Sequence, residues 1–366
     1  MSSLLKDIYS PSFYRFISKA ATIAVPGLPV KKFEQSIFTK EFEKYELKQR
    51  MWHTADVLTA HLSPDYPKAA KQVCAIIDVI EEMPDAPPSF GYMFFPEIIA
   101  RQGLNHLKDS IQAMERITKF CSCEFAVRPF FLRYEKEMIQ QSIKWAAHSH
   151  RGVRRLATEG SRPRLPWGMA IPSLKKDPRP LLPVLEKLKT DECEIVRRSV
   201  ANHLNDISKD HPDLMISIAR KWKGESEETD AIIKHACRTL FKAGNPEVLK
   251  LYQLKSNHLL VSDFSLQQKQ IKMGEAITFD CLLENQSTKK SKVRLEYAVY
   301  FRLKNGNLSK KVFKISEREI DGKEQMTLTK RHTFKPITTR VYYPGVHEIS
   351  VIVNGEEKAK KSFRLI

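Results

Sequence analysis

Several protein classes are excluded by what this sequence lacks. No apolar stretch approaches the length of a membrane span. The first thirty residues carry Lys6 and Asp7 and no unbroken apolar stretch, so no secretory signal is expected. The six cysteines (Cys74, Cys121, Cys123, Cys193, Cys237 and Cys281) are scattered, mostly in apolar, helix-like contexts. That usage suits small core residues in a reducing compartment, and a cytoplasmic protein is expected. There is no Gly-rich phosphate loop, no GxSxG elbow and no HExxH helix. No cluster of carboxylates suits the divalent ion of a metal-dependent nuclease. Cys121-x-Cys123 lacks the spacing of common zinc knuckles, and His148-x-His150 would point to two sides of a helix. No metal and no cofactor is expected.

Acidic residues are also in short supply: 43 Asp and Glu face 61 Lys and Arg, a formal charge of +18. A surplus of that size favours a polyanionic partner, because each neutralised phosphate releases counterions. Residues 257–366 hold 21 Lys and Arg against 12 Asp and Glu, half of the net charge.

At roughly 100–200 residues per domain, 366 residues predict two or three domains. Leu4, Leu5, Ile8, Tyr9, Phe13, Phe16 and Ile17 predict an amphipathic first helix. Helical spacing recurs over Phe33–Leu62 and Tyr66–Glu82, breaks at Pro84, Pro87 and Pro88, and resumes near Leu107 and through Phe130–His150. Three segments then share a core: Val153-Arg-Arg-Leu-Ala, Val196-Arg-Arg-Ser-Val and Ile233-Lys-His-Ala-Cys. Their separations of 43 and 37 residues are close to the period of about 40 in HEAT-like helix pairs. Such units bury their apolar faces only by stacking into a solenoid. Val196, Val200, Leu204 and Ile207 fall on one face of the second segment, and Arg198, Asn202 and Asp206 on another. Lys234, Arg238 and Lys242 repeat that polar stripe 36 residues later.

Beyond Leu254 the period becomes 2. Alternating runs begin at Ala276, Val293, Val312, Gln325 and His347, with turn signals at Lys304-Asn-Gly-Asn, Asp321-Gly and Asn354-Gly. Six or seven strands over residues 257–366 predict an immunoglobulin-like β-sandwich, without the Cys…Trp…Cys pattern of a disulfide-bonded one. The expected architecture is therefore a HEAT-like α-helical solenoid over residues 1–256 followed by a β-sandwich over residues 257–366.

The most basic stretch is Lys144–Arg179. Arg151, Arg154, Arg155, Arg162, Arg164, Lys175, Lys176 and Arg179 meet only Glu159 and Asp177 there, and Trp167 sits among them in a Pro-Trp-Gly loop. A cationic loop with one aromatic side chain suits a nucleic-acid clamp, with guanidinium groups on phosphates and an indole stacked on sugar or base. The same tryptophan could instead plug the seam between two repeats. Glu124, in Cys-Ser-Cys-Glu-Phe-Ala-Val-Arg-Pro-Phe, reads as a helix cap or as a carboxylate held for chemistry. Asp206 reads as a salt-bridge partner or as a second such carboxylate.

Together, Cys121–Phe130, Leu165-Pro-Trp-Gly and the run from Val196-Arg-Arg-Ser-Val to Asp213 resemble the bacterial AlkC-type DNA glycosylases, relatives of the AlkD group. The resemblance starts at Leu4-Leu-Lys-Asp-Ile-Tyr and extends to the subgroup with an immunoglobulin-like tail. It implies removal of cationic N-alkylated bases, 3-methyladenine and 3-methylcytosine, from duplex DNA without full base flipping. It also implies that Glu124, Trp167 and Asp206 are the catalytic positions. A base that already bears positive charge departs without a general acid, and a carboxylate stabilises the charge developing on the sugar and positions water. Asp206 is expected nearest the sugar and water. No lysine is marked as a Schiff-base nucleophile, so hydrolysis without strand cleavage is expected. Charge and helical register nominate Arg151, Arg154, Arg155, Arg162, Arg164, Arg198, Lys234 and Arg238 as DNA contacts of a monomer with no membrane partner. A non-catalytic HEAT-like scaffold for duplex DNA or an acidic protein fits the same charge and solenoid. The pair of carboxylates in a cationic surface argues against it.

Overall fold

A computed structural model describes residues 4–86 and 89–366. The chain falls into two compact units, Met1–Asp210 with Trp222–Ala236, and His211–Lys221 with Cys237–Ile366. Helix gives way to strand between Leu251 and Leu259. Among the described residues no helix is long and apolar enough to cross a membrane.

The first unit opens with α1 (Pro11–Ala24), α2 (Val30–Ile37), α3 (Leu47–Thr59), α4 (Tyr66–Glu82), α5 (Phe94–Gln102) and α6 (Leu107–Phe120). The expected single first helix is two: a 3₁₀ turn at Leu5–Ile8, then α1. Ser10 accepts a hydrogen bond from the Phe13 N–H and Pro11 follows, so the chain re-starts there and Leu4 and Leu5 remain exposed. Asp65 caps α4 in the same way, ahead of Tyr66 and Pro67. Pro84 lies just past the end of α4; Pro87 and Pro88 lie outside the described residues. Pairing of α1 with α4, α3 with α5 and α4 with α6 buries Phe13, Tyr14, Ile17, Ile76 and Phe94. Each such side chain contributes about 1.5–3 kcal/mol.

Next come α7 (Arg128–Arg133), α8 (Glu135–Trp145), α9 (Arg151–Glu159), α10 (Pro172–Lys176), α11 (Leu182–Leu188), α12 (Glu194–Asp210), α13 (Pro212–Trp222), α14 (Glu227–Ala236), α15 (Arg238–Lys242) and α16 (Pro246–Leu251), of which α13 up to Lys221, α15 and α16 fall in the second unit. The three similar segments lie on α9, α12 and α14, and α12 packs against both of the others. Val153, Val196, Val200, Leu204 and Ile233 are wholly buried between them. The polar stripe does not form one solvated face. Arg198 is exposed and Asn202 half-buried, but Asp206 has no exposure, because α12 is buried continuously from His203 to Ser208.

In the second unit two antiparallel sheets face each other. One is β1 (Leu259–Leu266), β3 (Ala276–Asn285) and β6 (Gln325–Thr333); the other runs β2 (Gln270–Ile271), β8 (Glu356–Leu365), β7 (Gly345–Val353), β4 (Ser291–Arg302) and β5 (Leu308–Ile320), with only β2 and β8 parallel. Alternate residues Val293, Leu295, Tyr297, Val299 and Phe301 of β4 enter the core, where they meet Phe279, Leu283, Ile349 and Val351. Asn354 and Gly355 both adopt positive φ (47° and 79°), as a two-residue hairpin between β7 and β8 requires. A Cβ on Gly355 would sit 2.6 Å from Leu249 of α16, so glycine also permits that close approach.

None of the cysteines is joined in a disulfide. Burial pushes the thiols of Cys74 and Cys281 up to about 11, those of Cys121 and Cys237 up to about 12, and that of Cys123 well above its ordinary value.

Candidate active site

The segment after α6 alternates. Cys121, Cys123, Ala126 and Val127 turn inward, and Cys123 donates its S–H to the Met114 carbonyl (3.5 Å) and its N–H to Thr118 Oγ1 (3.4 Å). Between these anchors Ser122, Glu124 and Phe125 face a cleft of about 490 Å³. Glu124 does not cap α7, whose N-terminus has no side-chain cap. Its Oε2 accepts from Ser122 Oγ (2.9 Å) and Arg155 Nη1 (2.7 Å), and among the described residues Oε1 accepts nothing.

From Glu124 a row of alternating charges runs inward. Arg155 Nη2 lies 4.0 Å from Glu159 Oε1, Arg162 Nη1 2.6 Å from the same oxygen, Arg162 Nε 2.8 Å from Asp206 Oδ2, and Lys209 Nζ 3.0 Å from Asp206 Oδ1. Burial opposes the Arg162 charge, but its bonds to Asp206 and Glu159 more than compensate and hold the guanidinium above its ordinary value. Ser199 Oγ donates to the other oxygen of Glu159 (2.7 Å). His203 donates from Nδ1 to the Thr158 carbonyl (3.0 Å), and its Nε2 is buried without a partner. Burial pushes this imidazole down to about 4, so it is neutral beside the charged row.

Trp167 does not plug a seam. It is 73% exposed on the loop from Gly160 to Ile171, at φ +65°, a strained region for a non-glycine residue. Arg128 holds that loop: wholly buried, it donates from Nη1 to the Gly160 carbonyl (3.0 Å) and from Nε to the Met169 carbonyl. Burial and the neighbouring Arg162 push Arg128 down to about 10. Lys48 Nζ holds the Trp167 carbonyl at 3.0 Å.

The structure therefore brings Glu124, Trp167, Arg155 and Arg162 to one cleft, together with Glu159, which sequence reasoning noted only as a charge. A signal was present: Arg155, Glu159 and Arg162 are spaced at i, i+4 and i+7, although α9 ends at Glu159 and Arg162 reaches it from the loop that follows. Asp206, expected nearest sugar and water, instead lies behind Arg162. Arg154 is not a surface cation either. It is buried, paired with Asp191 (2.6 and 3.1 Å) and Glu192 (3.1 Å), and donates to the His148 and Ser149 carbonyls. Arg164 is held bidentately by Asp210 (2.8 and 2.5 Å). Arg151 is exposed on α9; Arg198 and Lys234 are exposed on α12 and α14, outside the residues that line the cleft, and Arg238 is half-buried. Among the described residues no group of three or more His, Cys, Asp or Glu could hold a metal ion.

A family model described as DNA alkylation repair enzyme matches residues 104–240, and one described as the C-terminal Ig-like domain of uncharacterised protein YhaZ matches residues 260–366. The chain is 39% identical over 365 residues to uncharacterized protein YhaZ of Bacillus subtilis (strain 168), covering 99% of each. It is also similar to the solved structure of Pseudomonas fluorescens alkylpurine DNA glycosylase AlkC bound to DNA containing an abasic site analog. That match has 31% identity and a TM-score of 0.92 over 100% of both chains.

Proposed function

Because the chain belongs to the AlkC-type DNA glycosylases of the DNA alkylation repair enzymes, we propose that it is a monofunctional glycosylase. It hydrolyses the N-glycosidic bond of cationic N-alkylated bases, 3-methyladenine and 3-methylcytosine, in duplex DNA, as a monomer and with the base largely stacked. The observation that carries this reading is Glu124: a carboxylate in a cleft whose charges balance, Arg155 and Arg162 against Glu124 and Glu159, lined also by an exposed indole, and with one oxygen still unbonded. Neither oxygen of Glu159 is unoccupied, since Arg162 and Ser199 hold one each.

The chemistry follows from these groups. As the bond to a cationic base lengthens, the base leaves neutral and positive charge builds on the deoxyribose. Glu124 faces that charge and orders the attacking water through its unbonded oxygen. Trp167 lays an indole against the sugar or the cationic base, a contact of ~0.5–2 kcal/mol. Asp206 acts as a positioning residue: it holds Arg162, which fixes Glu159 and through it the Arg155 that orients Glu124. Arg151, Arg198 and Lys234 supply exposed charge for phosphates; Arg155, Arg164 and Arg238 are further contacts, and the buried Arg154 and Arg162 are struts. Between residues 257 and 366 the β-sandwich domain adds the other half of the charge, and the helical domain spans residues 1–256.

The test is release of methylated bases from alkylated duplex DNA in EDTA. The wild type releases 3-methyl bases without nicking the strand, and Glu124→Gln binds the same DNA but releases them at least about a hundredfold more slowly. Tight binding with no release by either protein would favour the non-catalytic scaffold.

A further inference from the structure

A second hollow of about 280 Å³ adjoins the cleft, and Phe90, Met93, Phe125 and Trp167 border both. Its other walls come largely from α3 and α5, with Met51, Trp52, Glu97 and Ala100, and from Met169. Trp52, Phe90, Trp167 and Met169 are 41%, 38%, 73% and 48% exposed. Aromatic and thioether surface left open around one hollow contributes little to the fold and suits a flat apolar guest. Glu97 is the one carboxylate in the lining. It is half-buried, and among the described residues it has no hydrogen bond or ion pair. Burial holds its carboxyl above its ordinary value despite Arg101 and Lys48 nearby. Both of those cations are engaged elsewhere, Arg101 with Asp56 (3.0 Å) and Lys48 with the Trp167 carbonyl (3.0 Å).

Size and charge narrow the guest. The volume falls just short of the ~300–1,000 Å³ of drug-sized sites, which suits one mono- or bicyclic ring system. Lys48 and Arg101 already hold partners, so what the hollow leaves unbonded is flat faces and one acceptor. We infer that it is an exit site for the freed N-alkylated nucleobase, which stacks on the aromatic and methionine walls and donates its exocyclic amino group to Glu97. The inference rests on the glycosylase reading, since that reaction supplies the guest.

The experiment titrates the full-length protein with free 3-methyladenine, following tryptophan fluorescence and inhibition of base release from alkylated DNA. The wild type shows saturable quenching and product inhibition, and adenosine monophosphate at equal concentration gives neither. Glu97→Gln, which keeps an acceptor but loses the charge, weakens binding about tenfold. Ala100→Trp, which fills the hollow from a half-buried position on α5, abolishes both signals. Base release by the wild type with no saturable binding, or binding untouched by Ala100→Trp, overturns the exit site and leaves the glycosylase standing. Binding lost in Ala100→Trp, from a wild type that releases no base, leaves a nucleobase site but overturns its exit role together with the glycosylase reading.

Discussion

Replacing Asp206 by Asn and by Ala separates two ways in which a buried carboxylate serves the cleft. Asp206 has no exposure, and its two oxygens hold Arg162 Nε at 2.8 Å and Lys209 Nζ at 3.0 Å. Asn keeps an acceptor for Arg162 but replaces a charge-assisted bond of ~1.5–3 kcal/mol by a neutral one of ~0.5–1.5, a loss of about 1–2 kcal/mol. Lys209, whose side chain is 39% exposed, can turn to water at little cost. Ala leaves buried Arg162 Nε without an acceptor and costs ~3–5 kcal/mol. If Asp206 only positions Arg162, single-turnover base release falls about tenfold in Asp206→Asn and about a hundredfold or more in Asp206→Ala, where the row of charges can shift. Thermal melts run alongside should rank wild type, Asn, Ala. The reasoning is refuted if the Asn variant melts near the wild type yet is as inactive as Ala. The carboxylate itself would then have to reach the sugar or water.

Glu124→Gln is expected to lower single-turnover release by ~10²–10⁴-fold with DNA affinity within a few-fold of wild type; a smaller loss would move the chemistry to Glu159. Trp167→Gly should raise thermal stability by about 1–3 kcal/mol by relieving the +65° backbone while slowing base release, and a destabilised variant would contradict the strain. Arg154→Ala should cost ~3–5 kcal/mol of stability and leave the salt dependence of DNA binding unchanged, whereas Arg198→Ala should leave stability unchanged and reduce the salt slope by about 1. His203 is neutral in the folded state, with a pKa near 4 against an ordinary 6.5. The unfolded chain therefore binds the extra proton: this contribution, about 3 kcal/mol, is present in full above pH 6.5 and is lost as pH falls toward 4. Urea unfolding at several pH values should show that slope, and His203→Gln should flatten it.

The elements legible in the sequence are those where local and tertiary preferences coincide. Asp65, Tyr66 and Pro67 mark the start of α4, and its 3.6 spacing matches the face that α1 and α6 cover. In β3 the alternation survives because one face is buried and the other only half-buried, whereas in β4 it survives although both faces are buried, since Arg294 and Glu296 pair with each other between the apolar residues of the core face. By contrast β8, Glu356–Leu365, is rich in lysine, and only Phe363 and Leu365 reach the core, so its period is hidden. Glu124 and Trp167 stood out as residues unlike their surroundings. Asp206 did so too, but its depth was not legible, since a polar stripe looks the same whether it meets water or a buried arginine. Arg154 misled for the same reason: its partner Asp191 lies 37 residues away, on the approach to the next repeat.

The raised thiols have a consequence for the chemistry in which such a protein works. Agents that methylate ring nitrogens of DNA bases also methylate sulfur, and they attack the thiolate far faster than the thiol. With Cys74 and Cys281 held at about 11 and Cys121 and Cys237 at about 12, no more than about one in ten thousand of each is ionised at neutral pH, and burial holds Cys123 well above its ordinary value too. Of the two beside the cleft, Cys123 has no exposure, and Cys121, which borders the cleft, is nearly buried. The fold thus keeps five of the six thiols poor nucleophiles toward alkylating electrophiles, and leaves the half-buried Cys193, beside a surface hollow, as the one thiol outside that protection.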